Sequence, residues 1–276
     1  MVRNEGVLNF TLQEGADLVG IVRVGDLRKA HPWRPPQGIL PTAKSVIIFA
    51  LKHSDAALDS PLMRISIADT LTIYHELSRI GYRLSRFLEK SGSLAATVHP
   101  AYPVEMTAET RGLVGDFSLR HAAASAGLGF IGKNNLLVTS EFGPGVRLAA
   151  VITDANLEST GQPIEKNCGA CAICVERCPA KAISSEGVDL RRCVKVVGGP
   201  AGLNALTRFL LDLVDKPKEE MKKLIRSPAV WNFHQALLVG AFYDCHACMS
   251  CCPFGPPGKR RNISKAEPQI KSFMNE

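Results

Sequence analysis

A run of apolar, largely β-branched residues, Val46-Ile47-Ile48-Phe49-Ala50-Leu51, follows Leu40-Pro41 and predicts a strand buried on both faces over Ser45 to His53. From Ile67 the period changes. Leu71, Tyr74, Leu77, Ile80, Leu84, Phe87 and Leu88 recur at three and four residues, with Glu76, Arg79, Arg83 and Arg86 on the opposite face. That pattern predicts a long amphipathic helix ending near Gly92. Ala95 to Tyr102 and Asn135 to Thr139 read as further strands, and Val146 to Thr153 reads as the hairpin return of the latter across Phe142-Gly143-Pro144-Gly145. Phe117 to Ala126 predicts a short alanine-rich helix running into glycines. No apolar run approaches the roughly 18 residues that span a bilayer, so the pattern is that of a soluble globular chain without a membrane partner.

The character changes at a polar connection, Glu158-Ser159-Thr160-Gly161-Gln162-Pro163, which sets a domain boundary there. Helices are expected beyond it over Leu203 to Val214, Lys218 to Ile225 and Val230 to Phe242. The expected class is α+β: a mixed domain over 1–160, a cysteine-rich domain with a helical insertion over 161–258, and a basic tail over 259–276. With 276 residues, 46% of them hydrophobic, each domain has enough apolar side chain for its own core.

Composition changes this picture through cysteine. All nine lie in the second half, at 168, 171, 174, 178, 193, 245, 248, 251 and 252. The N-terminal residues Met1 to Val7 form no basic-then-apolar leader, so a cytoplasmic chain is expected, where disulfides are disfavoured and close-set cysteines serve metals or redox chemistry. Cys168-x-x-Cys171-x-x-Cys174-x-x-x-Cys178-Pro179 has the spacing of bacterial 4Fe-4S ferredoxins. Three thiolates two residues apart can meet three irons of one cubane, while the fourth serves a second cluster. Zinc competes for any Cys-x-x-Cys pair, but four cysteines in this order before a proline favour iron and sulfide. Cys245-x-x-Cys248-x-x-x-Cys252-Pro253 repeats the pattern with one cysteine missing. With the exchange of two-cluster ferredoxins, Cys168, Cys171, Cys174 and Cys252 hold one cluster, and Cys178, Cys193, Cys245 and Cys248 the other, leaving Cys251 spare. The rival assignment takes Cys251 as a ligand and leaves Cys193 as a buried thiol.

A mixed domain, then Ala126-Gly127-Leu128-Gly129-Phe130-Ile131-Gly132-Lys133-Asn134, the motif from Cys168 to Pro179, Asp189-Leu190-Arg191-Arg192-Cys193 and Cys245 to Pro253 together resemble the epoxyqueuosine reductase family and the corrinoid-dependent reductive dehalogenases. Gly15 to Ile21 and Leu40 to Ile47 are similar to that family as well. The resemblance implies a nitroreductase-like N-terminal domain, a ferredoxin-like domain with two 4Fe-4S clusters, and a cobalamin to which electrons pass one at a time. Epoxyqueuosine reductases continue into a helical-repeat domain, whereas this sequence ends at Glu276, so the expectation favours a small acidic electron donor over tRNA as partner. The family's acidic residue stands in an Asp-Ser-x-Pro context; here the comparable stretch is Gly115-Asp116-Phe117-Ser118, and Asp116 is the candidate by position.

Gly127-x-Gly129-x-x-Gly132 also satisfies a dinucleotide fingerprint, but it follows a helix and precedes a strand, the reverse of the Rossmann order. A turn that admits a large ligand, or one that packs helix to strand, fits better, with Gly127, Gly129, Gly132 and Lys133 as candidate cofactor contacts. Asp116, His121 and Tyr102 are the candidate catalytic proton donors, Tyr74 a further one, and Arg120 and Arg147 candidate anion contacts. The net charge of +7 suits an acidic donor such as ferredoxin or flavodoxin, and no aromatic-rich RNA motif accompanies the basic stretches. FMN is the alternative cofactor for a nitroreductase-like cavity, and an electron-transfer protein without its own substrate is the alternative function. A homodimer is compatible with all of these readings.

Overall fold

The computed structural model describes residues 2–27, 35–100, 115–197, 211, 214, 216–226, 230 and 245–255. Its elements are α1 (Asn4–Gln13), β1 (Leu18–Arg23), β2 (Ser45–Lys52), α2 (Asp55–Leu58), α3 (Met63–Lys90), β3 (Ala95–Val98), α4 (Leu119–Ser125), β4 (Phe130–Ile131), β5 (Leu137–Val138), β6 (Val146–Thr153), α5 (Ile173–Glu176), β7 (Ile183–Ser184), β8 (Gly187–Val188), α6 (Leu190–Val197), α7 (Lys218–Ile225) and α8 (Ala247–Ser250). Tyr102, most of the helices expected over Leu203 to Val214 and Val230 to Phe242, and the basic tail fall outside the described residues. The chain forms two compact units. Among the described residues the first is drawn from 2–53, 72–171 and 252–255, and the second from 54–71 and 172–251.

In the first unit an antiparallel sheet has the order β1-β2-β6-β3. The continuous apolar run of β2 is explained by what covers it. Ile47 and Phe49 point into a core with Val7 of α1, Leu77, Ile80, Leu84 and Leu88 of α3, and Ala149 and Val151 of β6. Val46 and Ile48 point the other way, onto Ala122 and Ala123 of α4, Leu137 of β5, and Ala150 and Ile152 of β6. Alternation persists in direction but not in polarity, because neither face meets water. Burial of each such large side chain stabilises the fold by about 1.5–3 kcal/mol.

The expected hairpin between Asn135–Thr139 and Val146–Thr153 does not form. All eight residues of β6 pair with all eight of β2, from Ser45 opposite Thr153 to Lys52 opposite Val146, and β3 pairs with the other edge of β6. A five-residue partner would leave much of that ladder unpaired, which buried backbone does not tolerate. Leu137 and Val138 instead pair with Ile131 and Phe130. The long helix stops before Gly92, which takes φ +86, but it begins at Met63, upstream of the expected Ile67. Apolar periodicity is silent there because Ser66 and Thr70 are buried, with the Thr70 hydroxyl donating to the Ser66 carbonyl at 2.9 Å.

The polar connection after β6 has a structural duty. Thr160 N–H donates to the Ile21 carbonyl, Ile21 N–H to Thr160 Oγ1 and Arg23 N–H to Ser159 Oγ, each at 2.9 Å. These bonds occupy the outer edge of β1, which as an unpaired strand edge is a site for aberrant pairing.

Candidate metal centre

In the first unit, Lys133 sits in the turn joining β4 to β5, where Gly132 N–H donates to the Leu136 carbonyl and Asn135 adopts φ +60. The Lys133 amide donates to Cys168 Sγ at 3.4 Å, and its ammonium donates to the Gly169 and Cys171 carbonyls, both at 2.9 Å. Cys171 N–H closes the loop onto the Cys168 carbonyl at 3.0 Å, and Gly169, at φ +51, donates to Asn167 Oδ1 at 2.7 Å. Phe254, two residues after Cys252, packs edge-on against Phe130 of β4 with ring centroids 5.3 Å apart. The Cys252-Pro253 segment is thereby anchored in the unit that carries Cys168 and Cys171.

The second unit gathers the other six cysteines. Asp189 caps α6, its Oδ1 accepting from the Arg191 and Arg192 amides at 3.0 and 3.1 Å, and so fixes the first turn, which carries Cys193. Asp189→Ala should cost about 0.5–2 kcal/mol, read as a lower denaturant midpoint at unchanged m-value. Cys178 Sγ accepts from Ala182 N–H at 3.3 Å. Burial pushes the Cys248 thiol pKa up, and the neighbouring Cys245, Cys251, Cys193 and Cys174 push it further. Five thiols therefore share one neighbourhood, with both contenders for the fourth ligand position among them.

His246 is a member of this neighbourhood that spacing did not single out. It is buried beside Cys245, with Nε2 3.1 Å from Thr70 Oγ1. Thr70 spends its only hydroxyl proton on Ser66, so His246 Nε2–H is the donor to Thr70. Its carbonyl accepts from Met249 and Ser250 at 2.9 Å, which sets the start of α8 and the placement of Cys248. The only signal in the sequence was a histidine inside a cysteine motif.

Among the described residues, no three His, Cys, Asp or Glu side chains gather as the ligands of a single ion. The donor set is nonetheless all thiol, the soft ligand that iron-sulfur clusters take, and two of the sulfurs already accept backbone N–H bonds of the kind that set cluster potentials.

Asp116, Arg120, His121 and the glycine segment lie on or beside α4. Asp116 is partly buried in the bend before the helix, and Ser118 Oγ meets His121 Nδ1 at 2.6 Å, fixing the imidazole. Arg120 has its Nε buried with no hydrogen-bond partner among the described residues, and burial lowers its pKa. The glycines have packing reasons. Gly127, at φ +78, ends α4 with its amide on the Ala124 carbonyl and that of Leu128 on the Ala123 carbonyl, a Schellman ending. A Cβ on Gly127 would meet the Gln162 carbonyl oxygen at 2.9 Å, one on Gly129 would strike the Val138 carbonyl oxygen, and one on Gly132 would meet Asn134 Oδ1 at 2.8 Å. Tyr74 lies beneath the Arg147 guanidinium, 5.4 Å from its ring centre, and Arg147 Nε donates at 2.9 Å to Nε2 of the fully buried His53, a contact that apolar patterning did not reveal.

No family model matches the chain. Over 244 residues it is 29% identical to an epoxyqueuosine reductase of Gloeobacter violaceus, covering 86% of this chain and 65% of that one. It is 31% identical over 171 residues to a tetrachloroethene reductive dehalogenase of Desulfitobacterium hafniense, covering 60% of this chain and 28% of the relative. The chain is thus similar to both the epoxyqueuosine reductases and the reductive dehalogenases. It also has the epoxyqueuosine reductase fold: a solved epoxyqueuosine reductase with an epoxyqueuosine-modified tRNA stem loop superposes with a TM-score of 0.59 at 22% identity, over 91% of this chain and 64% of that one. The chain spans from under a third to about two thirds of the length of these relatives. Among the described residues no helix is long and apolar enough to cross a membrane.

Proposed function

We propose that the chain is an iron-sulfur oxidoreductase that carries two 4Fe-4S clusters and delivers single electrons to a cobalamin in a nitroreductase-like N-terminal domain for reductive chemistry. The observation that carries this reading is the neighbourhood of Cys174, Cys193, Cys245, Cys248 and Cys251, built by a ferredoxin-like spacing in a chain with the epoxyqueuosine reductase fold. Cys178, Cys193, Cys245 and Cys248 hold one cluster within the second unit. Cys168, Cys171, Cys174 and Cys252 hold the other, an assignment that rests on spacing and is supported by the anchoring of Cys252 through Phe254.

When bound, cobalamin supplies reductive chemistry that no side chain offers. Arg120, a desolvated cation with an unsatisfied Nε, is suited to a phosphate or amide of that cofactor. Asp116 and His121 hold the proton that a departing oxygen requires, with Ser118 orienting the imidazole. The basic chain, at a net charge of +7, attracts an acidic ferredoxin or flavodoxin as donor. A tRNA substrate is the second reading, favoured by the stem-loop complex of the solved relative.

Anaerobically reconstituted protein should contain about eight iron atoms per chain. It should bind cobalamin with a base-off absorption spectrum. Bound flavin in place of cobalamin would establish FMN as the cofactor. Intact clusters with neither cofactor bound would make the chain an electron-transfer protein for a separate enzyme. Conversion of an epoxyqueuosine-modified stem loop by the loaded protein would establish the tRNA reading.

A further inference from the structure

We propose that Lys133 tunes the potential of the cluster bound by Cys168 and Cys171, holding it higher than the thiolates alone would set it. This rests on the iron-sulfur reading above and adds to it a residue outside the cysteine motifs. Lys133 makes three bonds to one short loop: its amide to Cys168 Sγ at 3.4 Å, and its ammonium to the Gly169 and Cys171 carbonyls at 2.9 Å each. Those carbonyls are neutral, and among the described residues no carboxylate pairs with the ammonium. Its charge therefore acts on the cluster without a counter-ion to cancel it.

Reduction adds one electron to the cluster and moves no proton or bond, so the reduced form is the more negative. A fixed cation beside the loop favours that form, as does an N–H directed at a ligand sulfur. The contribution is large because Lys133 is partly buried, where screening by salt is weaker than at the surface. The turn supports this placement. Gly132 leaves no room for a Cβ between Asn134 and Val138, with Cys168 Sγ 3.5 Å from that position, so the backbone carries Lys133 close against the cysteine loop.

The test is a redox titration of Lys133→Gln and Lys133→Arg, monitored by electron paramagnetic resonance, with iron and sulfide measured on each preparation. Lys133→Gln retains an N–H donor but loses the charge. It should keep full iron content while one cluster becomes about tenfold harder to reduce, a fall of about 59 mV for a one-electron couple. The second cluster should be unmoved, and Lys133→Arg should restore the first. Unchanged potentials in Lys133→Gln would overturn the inference. Loss of iron from that variant would overturn it too, making Lys133 a structural staple. The underlying reading fails separately, if the unaltered protein binds no 4Fe-4S cluster.

Discussion

Cys248→Ala is expected to remove about half of the iron from the reconstituted protein, since the cluster assigned to Cys178, Cys193, Cys245 and Cys248 loses one of its four thiolates. The same loss is expected for Cys193→Ala, while Cys251→Ala keeps full iron content. Cys251 is the most buried of the nine cysteines, and both it and Cys193 neighbour Cys248, so proximity alone does not rank them. What ranks them is order along the chain: Cys248 and Cys252-Pro253 reproduce the Cys-x-x-x-Cys-Pro junction seen at Cys174, Cys178 and Pro179. Iron and acid-labile sulfide measured on the three variants decide the matter. Full iron in Cys193→Ala together with half in Cys251→Ala would transfer the ligand role to Cys251.

Gly129→Ala is expected to destabilise the first unit by about 1–3 kcal/mol or more, because the added methyl meets the Val138 carbonyl, which the β4-β5 pairing holds in place. Gly6→Ala provides the contrast. Gly6 is an exposed position within α1, nothing lies within 4 Å of its Cβ site, and the substitution should stabilise by about 0.5–1 kcal/mol. Chemical denaturation of both variants, followed by circular dichroism, reads the two signs directly. A neutral Gly129→Ala would mean that β4 and β5 separate at little cost, and the turn bearing Lys133 would then be held only loosely against the cysteine loop.

Periodicity and spacing revealed β2, the body of α3 and the cysteine groups, because each is a local pattern. β6 was visible as a strand, yet its partners were not: turn residues at Phe142 to Gly145 pointed to the nearest neighbour, while the pairing is decided by which strand matches its length and covers both faces. The start of α3 was hidden because its buried positions include the hydroxyl-bearing Ser66 and Thr70, which apolar periodicity does not register. The glycine segment was legible as a tight turn after a helix, but its close approach is to protein backbone at Gln162 and Val138, distant in sequence or across a hairpin. Lys133 read as a cation for a cofactor, and the bonds of its ammonium to the Gly169 and Cys171 carbonyls of the cysteine loop were not announced by any linear motif. The links between Thr70 and His246 and between His53 and Arg147 join residues about 100 or more apart, and no linear motif announces them.

The pairing of β2 with β6 also bears on how the chain comes to be folded. The two central strands of the sheet are separated by about 100 residues, and the helices that cover them lie largely in the intervening stretch. A contact of such long sequence separation must meet its loop-closure cost before any burial repays it. During synthesis, β2 therefore leaves the ribosome as an apolar strand without its main partner, and remains so until residues 146–153 follow. The interval before that closure is when this half of the chain is most exposed to aggregation.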